Sequence, residues 1–195
     1  PARAWPPDDG NTSHLTVIDR DRSMVALTAS LGRLFGSGVI VPGTGVLLNN
    51  GMMWFDPEPG SVNSIGPGKR TLSAATPALA FDGRDPLLAV GAPGGRKVIT
   101  AVLQVLLNVL DFGLGMQAAI SAPRIHCETG PVHADVRLPE STIEELRRMG
   151  HEVVLREETF LSSYFARPNG ILIDRGQGVL RGGAEPYKMG TAIGL

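Results

Sequence analysis

The sequence is short of several residue classes, and each shortage excludes a class of protein. Cys127 is the only cysteine among 195 residues, so an internal disulfide and a cysteine-rich metal site are both excluded. Aromatic residues make up 5% of the chain, and no stripe of lysine and arginine is interleaved with them, as a nucleic-acid groove would need. The formal net charge is −1. We therefore expect no nucleic-acid partner.

Long apolar runs are missing as well. The most apolar stretch, residues 98–110, is too short to cross a bilayer and contains Thr100, Gln104 and Asn108. We expect a core helix there and no membrane span in this chain. Residues 1–10 lack the positively charged start and the apolar run of a signal peptide. The compartment stays open between the periplasm or cell exterior and the cytoplasm.

The composition predicts a folded protein. Hydrophobic residues account for 43% and charged residues for 19% of the chain, a balance typical of a globular protein with a packed core. The segment from Trp5 to Gly10 reads WPPDDG, which predicts an exposed, mobile tail. Order is expected to begin near Thr12, which divides the chain into a tail, residues 1–11, and one domain, residues 12–195. The length suits either an independent domain or half of a heterodimer.

Alternating and continuous apolar runs predict the secondary structure. The predicted strands cover residues 15–19, 24–30, 39–41, 46–49, 78–81, 87–90, 164–166 and 171–174. The predicted helices run from Gly94 and Gly95 to about Phe112, over residues 115–121, and from a capping box of Ser141 and Glu144 to Gly150. Residues 56–69 read as a long surface loop. Strands, then helices, then strands again indicate an α+β fold with helices packed on sheets.

One threonine fits a catalytic role. Thr12 lies in the run Asn11-Thr12-Ser13-His14, which by itself also fits a polar strand edge. A threonine at a chain terminus can attack an amide while its own α-amine acts as the base. The reference pKa of that amine, about 8, lies close to working pH. The same hydroxyl can attack the carbonyl of Asn11 in a precursor and so release the terminus.

Five motifs in order resemble a known family. They are the opening run from Thr12 to Asp19, FGSG at 35–38, GVLLNN at 45–50, PGKR at 67–70 with Leu72-Ser73 after it, and GAPGG at 91–95. From Thr12 onward the chain resembles the small catalytic subunit of gamma-glutamyltranspeptidases, which are N-terminal-nucleophile (Ntn) hydrolases. The resemblance implies a four-layer αββα sandwich built from two subunits of one precursor, with this chain as the small-subunit half. It implies neither a cofactor nor a metal.

The family's catalytic positions are occupied by suitable residues. The resemblance makes Thr12 the nucleophile and places Ser30 where the family has a threonine hydroxyl that supports it. It also assigns the oxyanion hole to the backbone N–H groups of Gly94 and Gly95. These glycines precede a predicted long helix, whose dipole favours negative charge, although a plain glycine turn before a helix fits them too.

The family's substrate-binding positions depart from its pattern. Gly51 and Trp54 occupy positions where the family has an acidic or amide residue and an aspartate for the substrate α-amine. Ser73 is followed by Ala74 instead of a second serine. Gly32 replaces an asparagine. The resemblance therefore implies that amide cleavage is better preserved than recognition of glutamate.

The remaining polar residues have ordinary interpretations. His14 fits a strand residue with local hydrogen bonds, and His126, His133 and His151 lack metal-ligand spacing. Cys127 is expected to be a buried or half-buried thiol. Asp56 and Glu58 fit a solvated loop.

Three functions stay open at this point. The first is cleavage of glutathione or another γ-glutamyl amide through an acyl-enzyme, followed by hydrolysis or transfer. The second is an acylase for another acyl group, resembling the cephalosporin and glutaryl acylases. The third is a catalytically silent homologue. In each case the resemblance implies a large subunit as partner, which in the family contributes an arginine for the substrate carboxylate.

Overall fold

The structure is a computed structural model that describes residues 11–160, 164–187 and 190–194. Its strands are β1 (Asn11–Ile18), β2 (Met24–Gly32), β3 (Ala78–Asp82), β4 (Asp85–Gly91), β5 (Ile125–His126), β6 (Val132–Asp135), β7 (Val153–Arg156), β8 (Asn169–Asp174) and β9 (Val179–Ala184). Its helices are α1 (Lys97–Leu110), α2 (Met116–Ser121) and α3 (Glu140–Arg148), with a 3₁₀ turn at Gly51–Trp54. The predicted α+β class is confirmed.

Three layers make up the main body. The antiparallel hairpin β1-β2 packs on a sheet of order β3-β4-β8-β9, and α1 and α2 pack on that sheet from the other side. A core of β4 and helix residues fills the space under the helices, with Val98, Val102 and Val105 at 2% exposure or less. A smaller cluster, Ile18, Ala89 and Ile173, fills the space under the hairpin.

The hairpin has two different faces. Alternate side chains of β1, ending with the buried Ile18, turn toward the sheet. On the opposite face, Leu15, Val17, Val25 and Leu27 are each about half exposed, at 48%, 51%, 52% and 50%. In an antiparallel sheet with one solvent-exposed face, the residues on that face are usually polar. The apolar outer face of the hairpin is therefore a surface suited to contact with another layer.

A small third sheet, β5-β6-β7, lies beside α1. Strands β6 and β7 are parallel, and α3 connects them. Among the described residues, no helix has the length and apolar character to span a membrane.

Some predicted elements differ from the structure. Residues 39–41 and 46–49 form only an isolated bridge, Ile40 with Leu47, because their apolar side chains stay largely exposed and find no sheet. Residues 164–166 are not a strand; they form part of a loop that packs against Gly94. Residues 78–81 form a strand as predicted, β3, which lies at the edge of its sheet and leaves Leu79 and Phe81 43% and 54% exposed.

Two local predictions were wrong. Helix α3 has Pro139 as its N-cap and no side-chain cap, so Ser141 lies inside the helix and forms no capping box. Proline is accepted at this position because the N–H group that it lacks would have no partner inside the helix. Cys127 is exposed rather than buried, in the turn between β5 and β6. The predicted tail over residues 5–10 lies outside the described residues.

Candidate active site

Thr12 and Ser30 face each other at the open end of the hairpin. They are paired across β1 and β2, and Thr12 Oγ1 lies 2.9 Å from Ser30 Oγ. Ser30 Oγ also accepts a hydrogen bond of 3.0 Å from the N–H of Gly32 and donates one of 3.4 Å to the carbonyl of Asn11. A register shift between Asn11 and Thr12 accompanies this arrangement. One hydroxyl therefore contacts both Thr12 Oγ1 and the carbonyl that precedes Thr12.

Gly94 and Gly95 form the turn between β4 and α1. Their φ angles are +143° and +60°, values that disfavour side chains with a Cβ. A Cβ on Gly94 would lie 2.5 Å from the Cα of Ala166, so this close approach requires glycine. Helix α1 begins at Lys97. The turn thus presents backbone at the positive end of a helix dipole.

The N–H groups of these two glycines have no hydrogen-bond acceptor among the described residues. Within residues 11–160, 164–187 and 190–194, neither group donates a hydrogen bond to the protein. Two such donors beside a helix N-terminus can bind the oxygen of a tetrahedral intermediate. The predicted oxyanion residues therefore have suitable local chemistry.

A cleft of about 260 Å³ opens at Thr12, slightly smaller than the usual ligand pockets of about 300 to 1,000 Å³. It joins the start of β1, the residue before Gly94, the start of β8 and the end of β9. Its lining residues are Thr12, Ser13, His14, Pro93, Arg167, Pro168, Asn169, Ala184, Glu185 and Gly190.

Asn169 fixes β1 from the neighbouring sheet. Its Nδ2 donates to the carbonyl of His14 at 3.0 Å, and its Oδ1 accepts from Thr16 Oγ1 at 3.1 Å. These contacts hold the strand that carries Thr12 against β8. Sequence reasoning missed Asn169, because its partners lie about 150 positions earlier and no local pattern connects them.

His14 makes the local hydrogen bonds expected of it. Its Nδ1 lies 2.8 Å from Thr28 Oγ1 and its Nε2 lies 3.1 Å from Thr16 Oγ1. The ring covers Gly91, where a Cβ would come within 2.2 Å of it. Burial lowers the pKa of His14, so the imidazole is neutral at neutral pH.

This lowered pKa predicts a loss of stability in acid. As pH falls below about 6.5, the ordinary histidine pKa, His14 binds a proton in the unfolded chain before it does in the folded one. The free energy of unfolding must then fall until the folded histidine is also protonated. We expect a lower Tm at pH 5.5 than at pH 7.5, measured by calorimetry. His14→Gln should show a smaller decrease than the parent, and an equal decrease would contradict this assignment.

The predicted substrate-side residues lie at the end of β2 and in the loop that follows it. Gly32, at the end of β2, lies against Asn50, just before the 3₁₀ turn that carries Gly51 and Trp54. Ser73 Oγ accepts from the N–H of Ala75 at 3.1 Å, which ties that hydroxyl to its own turn. Gly51, Trp54, Ser73 and Ala74 are not among the residues that line the cleft at Thr12, and neither are Ser30, Gly32, Gly94 and Gly95.

Asn63 connects the two substrate-side segments and was not predicted. Its Nδ2 donates to the carbonyl of Trp54 at 2.7 Å, and its Oδ1 accepts from the N–H of Leu72 at 3.0 Å. The residue before Ser73 is thereby held next to the turn of Trp54. Long loops with such internal links are often functional.

The other histidines do not form a metal centre. His126 Nδ1 contacts Thr100 Oγ1 at 2.8 Å and its Nε2 contacts Glu128 at 3.3 Å. Across the described ranges, no group of histidine, cysteine and acidic residues is arranged to hold a metal ion.

Comparison with known proteins identifies the family of this chain. The model of the family described as gamma-glutamyltranspeptidase matches residues 1–195. The "Glutathione hydrolase proenzyme" of Bacillus subtilis (strain 168) is 35% identical over 188 residues, which cover 96% of this chain and 31% of that protein. The chain therefore spans about a third of the length of this curated relative.

Solved structures show the same fold. A gamma-glutamyltranspeptidase from Pseudomonas nitroreducens, complexed with L-DON, matches with a TM-score of 0.78 and 29% identity over 93% of this chain and 98% of that one. A cephalosporin acylase from Bacillus halodurans matches with a TM-score of 0.80 and 34% identity, over 90% of this chain and 32% of that one. All three named relatives are enzymes.

Proposed function

The chain belongs to the gamma-glutamyltranspeptidase family, and from this premise we propose that it is the catalytic subunit of an amide hydrolase with Thr12 as nucleophile. One observation carries the proposal: Thr12 Oγ1 and Ser30 Oγ are 2.9 Å apart at the start of β1. The Ntn-hydrolase fold supports it as well.

The first step is cleavage of the precursor. Thr12 Oγ1 attacks the carbonyl carbon of Asn11, and the acyl group moves from the Thr12 nitrogen to its oxygen. Water then hydrolyses the ester, which leaves a carboxylate on Asn11 and a free α-amine on Thr12. A role of Ser30 in this step is supported by its hydroxyl, which contacts both Thr12 Oγ1 and the Asn11 carbonyl.

The second step uses the terminus that cleavage exposes. The α-amine of Thr12 takes the hydroxyl proton while Oγ1 attacks the substrate amide. The N–H groups of Gly94 and Gly95 stabilise the negative oxygen. The proton passes to the departing amine, and an ester remains on Thr12. Water hydrolyses that ester, or a second amine takes the acyl group.

We assign the fourth layer of the αββα sandwich, which would cover the outer face of the hairpin, to a large subunit from the same precursor. The chain matches 31% of a relative named as a proenzyme, and the apolar outer face of the hairpin is uncovered in the described part of this chain. Burying four half-exposed aliphatic side chains at about 25 cal/mol per Å² favours association. The subunit alone is therefore expected to be incomplete.

The default substrate is a γ-glutamyl amide such as glutathione, in line with the named relative. An acylase for another acyl group is the second candidate. It is favoured by Gly51, Trp54 and Ala74, which lack the polar groups expected for a glutamyl α-amine and α-carboxylate, and by the similarity to a cephalosporin acylase.

Activity of the co-expressed subunits tests the proposal. The processed heterodimer should release 4-nitroaniline from a γ-glutamyl or a glutaryl 4-nitroanilide, and the relative kcat/KM of the two anilides decides between the two acyl groups. A processed heterodimer that cleaves neither anilide would support the catalytically silent homologue.

Replacement of Ser30 should slow catalysis without stopping it. Ser30→Ala removes a neutral hydrogen bond to the nucleophile, worth about 0.5 to 1.5 kcal/mol, so kcat should fall about 2- to 10-fold. Ser30→Thr keeps the hydroxyl and serves as the matched control. Single-turnover rates on the preferred anilide measure the effect. A wild-type rate in Ser30→Ala would remove Ser30 from the mechanism.

A further inference from the structure

The turn that carries the proposed oxyanion donors has little support of its own. Gly94 and Gly95 lack side chains, have positive φ angles and lie outside any helix or strand. The carbonyl of Gly95 accepts a hydrogen bond of 3.3 Å from the N–H of Val98, but the N–H groups of both glycines have no acceptor among the described residues. Glycine is also the residue with the greatest backbone freedom. Because oxyanion donors act only when they are fixed before the reaction, neighbouring residues have to hold this turn.

A loop segment, residues 164–167, lies along the turn. The N–H of Arg167 donates to the carbonyl of Pro93 at 2.9 Å. Ala166 packs so closely on Gly94 that a Cβ on that glycine would lie 2.5 Å from both the Cα and the Cβ of Ala166. The end of the segment therefore fixes the chain just before the glycine turn and at its first glycine.

The start of the segment is held by a carboxylate. Glu158 Oε1 accepts hydrogen bonds from the N–H groups of Tyr164 and Phe165, the second at 2.8 Å. Hydrogen bonds to a charged acceptor are about twice as strong as neutral ones. The ring of Tyr164 in turn contacts the first residue of α1, since Lys97 Nζ lies 4.8 Å from the ring centroid. Glu158 therefore holds the residues directly before Ala166, and these residues also contact the helix after the turn.

The other side of the segment is anchored in the core. Arg124 Nη1 donates to the carbonyl of Ala166 at 2.7 Å, and Arg124 Nη2 pairs with Glu185 Oε2 at 2.6 Å. The two side chains of this ion pair are buried, at 5% and 6% exposure. Removal of either one would leave a buried charge unpaired and would destabilise the fold. Glu158 is only half-buried, so it is the contact whose effect on the turn can be measured in a folded protein.

We propose that Glu158 is a positioning residue for the oxyanion turn, because it holds segment 164–167 and thereby keeps the N–H groups of Gly94 and Gly95 in one orientation. This inference rests on the proposed function, in which those groups bind the negative oxygen. Glu158 is not among the residues that line the cleft at Thr12, so its effect on the reaction passes through the turn. Its loss should weaken binding of the tetrahedral state and leave binding of the substrate unchanged.

Kinetics of three variants of the processed heterodimer test this. Glu158→Ala removes the acceptor and should lower kcat on the preferred anilide about 10- to 100-fold with KM unchanged, less than the loss of about 10²- to 10³-fold when a whole oxyanion donor is removed. Glu158→Gln keeps an oxygen that can accept from both N–H groups and should restore most of the rate. Glu157→Ala removes the exposed carboxylate of the neighbouring residue, and as the matched control it should keep the parental kcat.

A boronic acid that carries the preferred acyl chain separates positioning from folding. Thr12 Oγ1 adds to the boron while its proton passes to the α-amine, and the tetrahedral anion places an oxygen against the oxyanion donors. The carboxylic acid with the same chain serves as the ground-state ligand. Glu158→Ala should raise the Ki of the boronic acid by the factor by which kcat falls and leave the Ki of the carboxylic acid unchanged. Equal changes in both constants would overturn the positioning role.

The remaining outcomes also decide between the two proposals. An unchanged kcat in a Glu158→Ala variant of parental Tm, or a raised KM with unchanged kcat, overturns the role of Glu158 alone. If Glu158→Ala does not fold, Ala166→Gly takes its place, because it removes the methyl group that packs on Gly94. An unchanged kcat in that variant also overturns the positioning role. A parent that cleaves no anilide overturns the proposed function, and this inference with it.

Discussion

Thr12→Ala is expected to leave the precursor as a single chain and to lower amide hydrolysis by at least about 10⁴-fold, the scale seen when a nucleophile is removed. The variant loses the hydroxyl that attacks Asn11, so no α-amine is exposed. Nucleophile and base are thereby lost together. Intact mass of the full-length precursor after expression, followed by initial rates on the γ-glutamyl and glutaryl anilides, measures both effects.

Thr12→Ser is the matched control for this variant. Serine keeps a hydroxyl at the same position and exposes an α-amine after cleavage, so both processing and turnover should persist. The contact with Ser30 Oγ, 2.9 Å in the parent, can form with either residue. Cleavage before residue 12 in Thr12→Ala, or a parent that stays uncut together with its large subunit, would contradict the assignment of Thr12.

The sequence predicted well those parts of the site that depend on local structure. A hairpin with a short polar turn brings Thr12 opposite Ser30, and the strand pairing places them in contact. A glycine turn between a buried strand and an apolar helix places Gly94 and Gly95 ahead of α1. The glycine turn ahead of α1 follows from apolar period and turn chemistry, whereas Ser30 was named from the family resemblance, because the predicted strand began only at residue 15. Their catalytic roles remain proposals.

The parts that escaped prediction depend on distant contacts. Asn169 hydrogen-bonds to residues 153 and 155 positions away, and Arg167 lines the cleft only because its loop packs against Gly94. No periodicity in the sequence indicates such pairs. Apolar content predicted strands at residues 39–41 and 46–49, but in the described part of the chain these residues form a single isolated bridge, because strand propensity needs a neighbouring sheet to pack on.

Trp54→Asp is expected to shift acyl preference toward γ-glutamyl amides. The glutaryl and γ-glutamyl groups differ by one α-ammonium, and a carboxylate in place of the indole gives that cation a charge-assisted partner. Such a bond contributes about 1.5 to 3 kcal/mol, so the ratio of kcat/KM for γ-glutamyl over glutaryl anilide should rise about 10- to 100-fold. The indole itself offers a cation–π contact of about 0.5 to 2 kcal/mol, which places the net change nearer the lower end.

The hydrogen bonds of this turn use the backbone of Trp54, while its indole ring lies against Gly51. The carbonyl of Trp54 accepts from the side-chain Nδ2 of Asn63 at 2.7 Å, and the N–H of Phe55 donates to the carbonyl of Met52. Neither hydrogen bond uses the indole. Trp54→Asn, nearly equal in size to aspartate but uncharged, isolates the effect of the carboxylate. If Asp and Asn change the ratio equally, the ammonium is not bound at residue 54. A rise confined to Asp would establish that the loss of a carboxylate at this turn separates the chain from the glutamyl-specific members of its family.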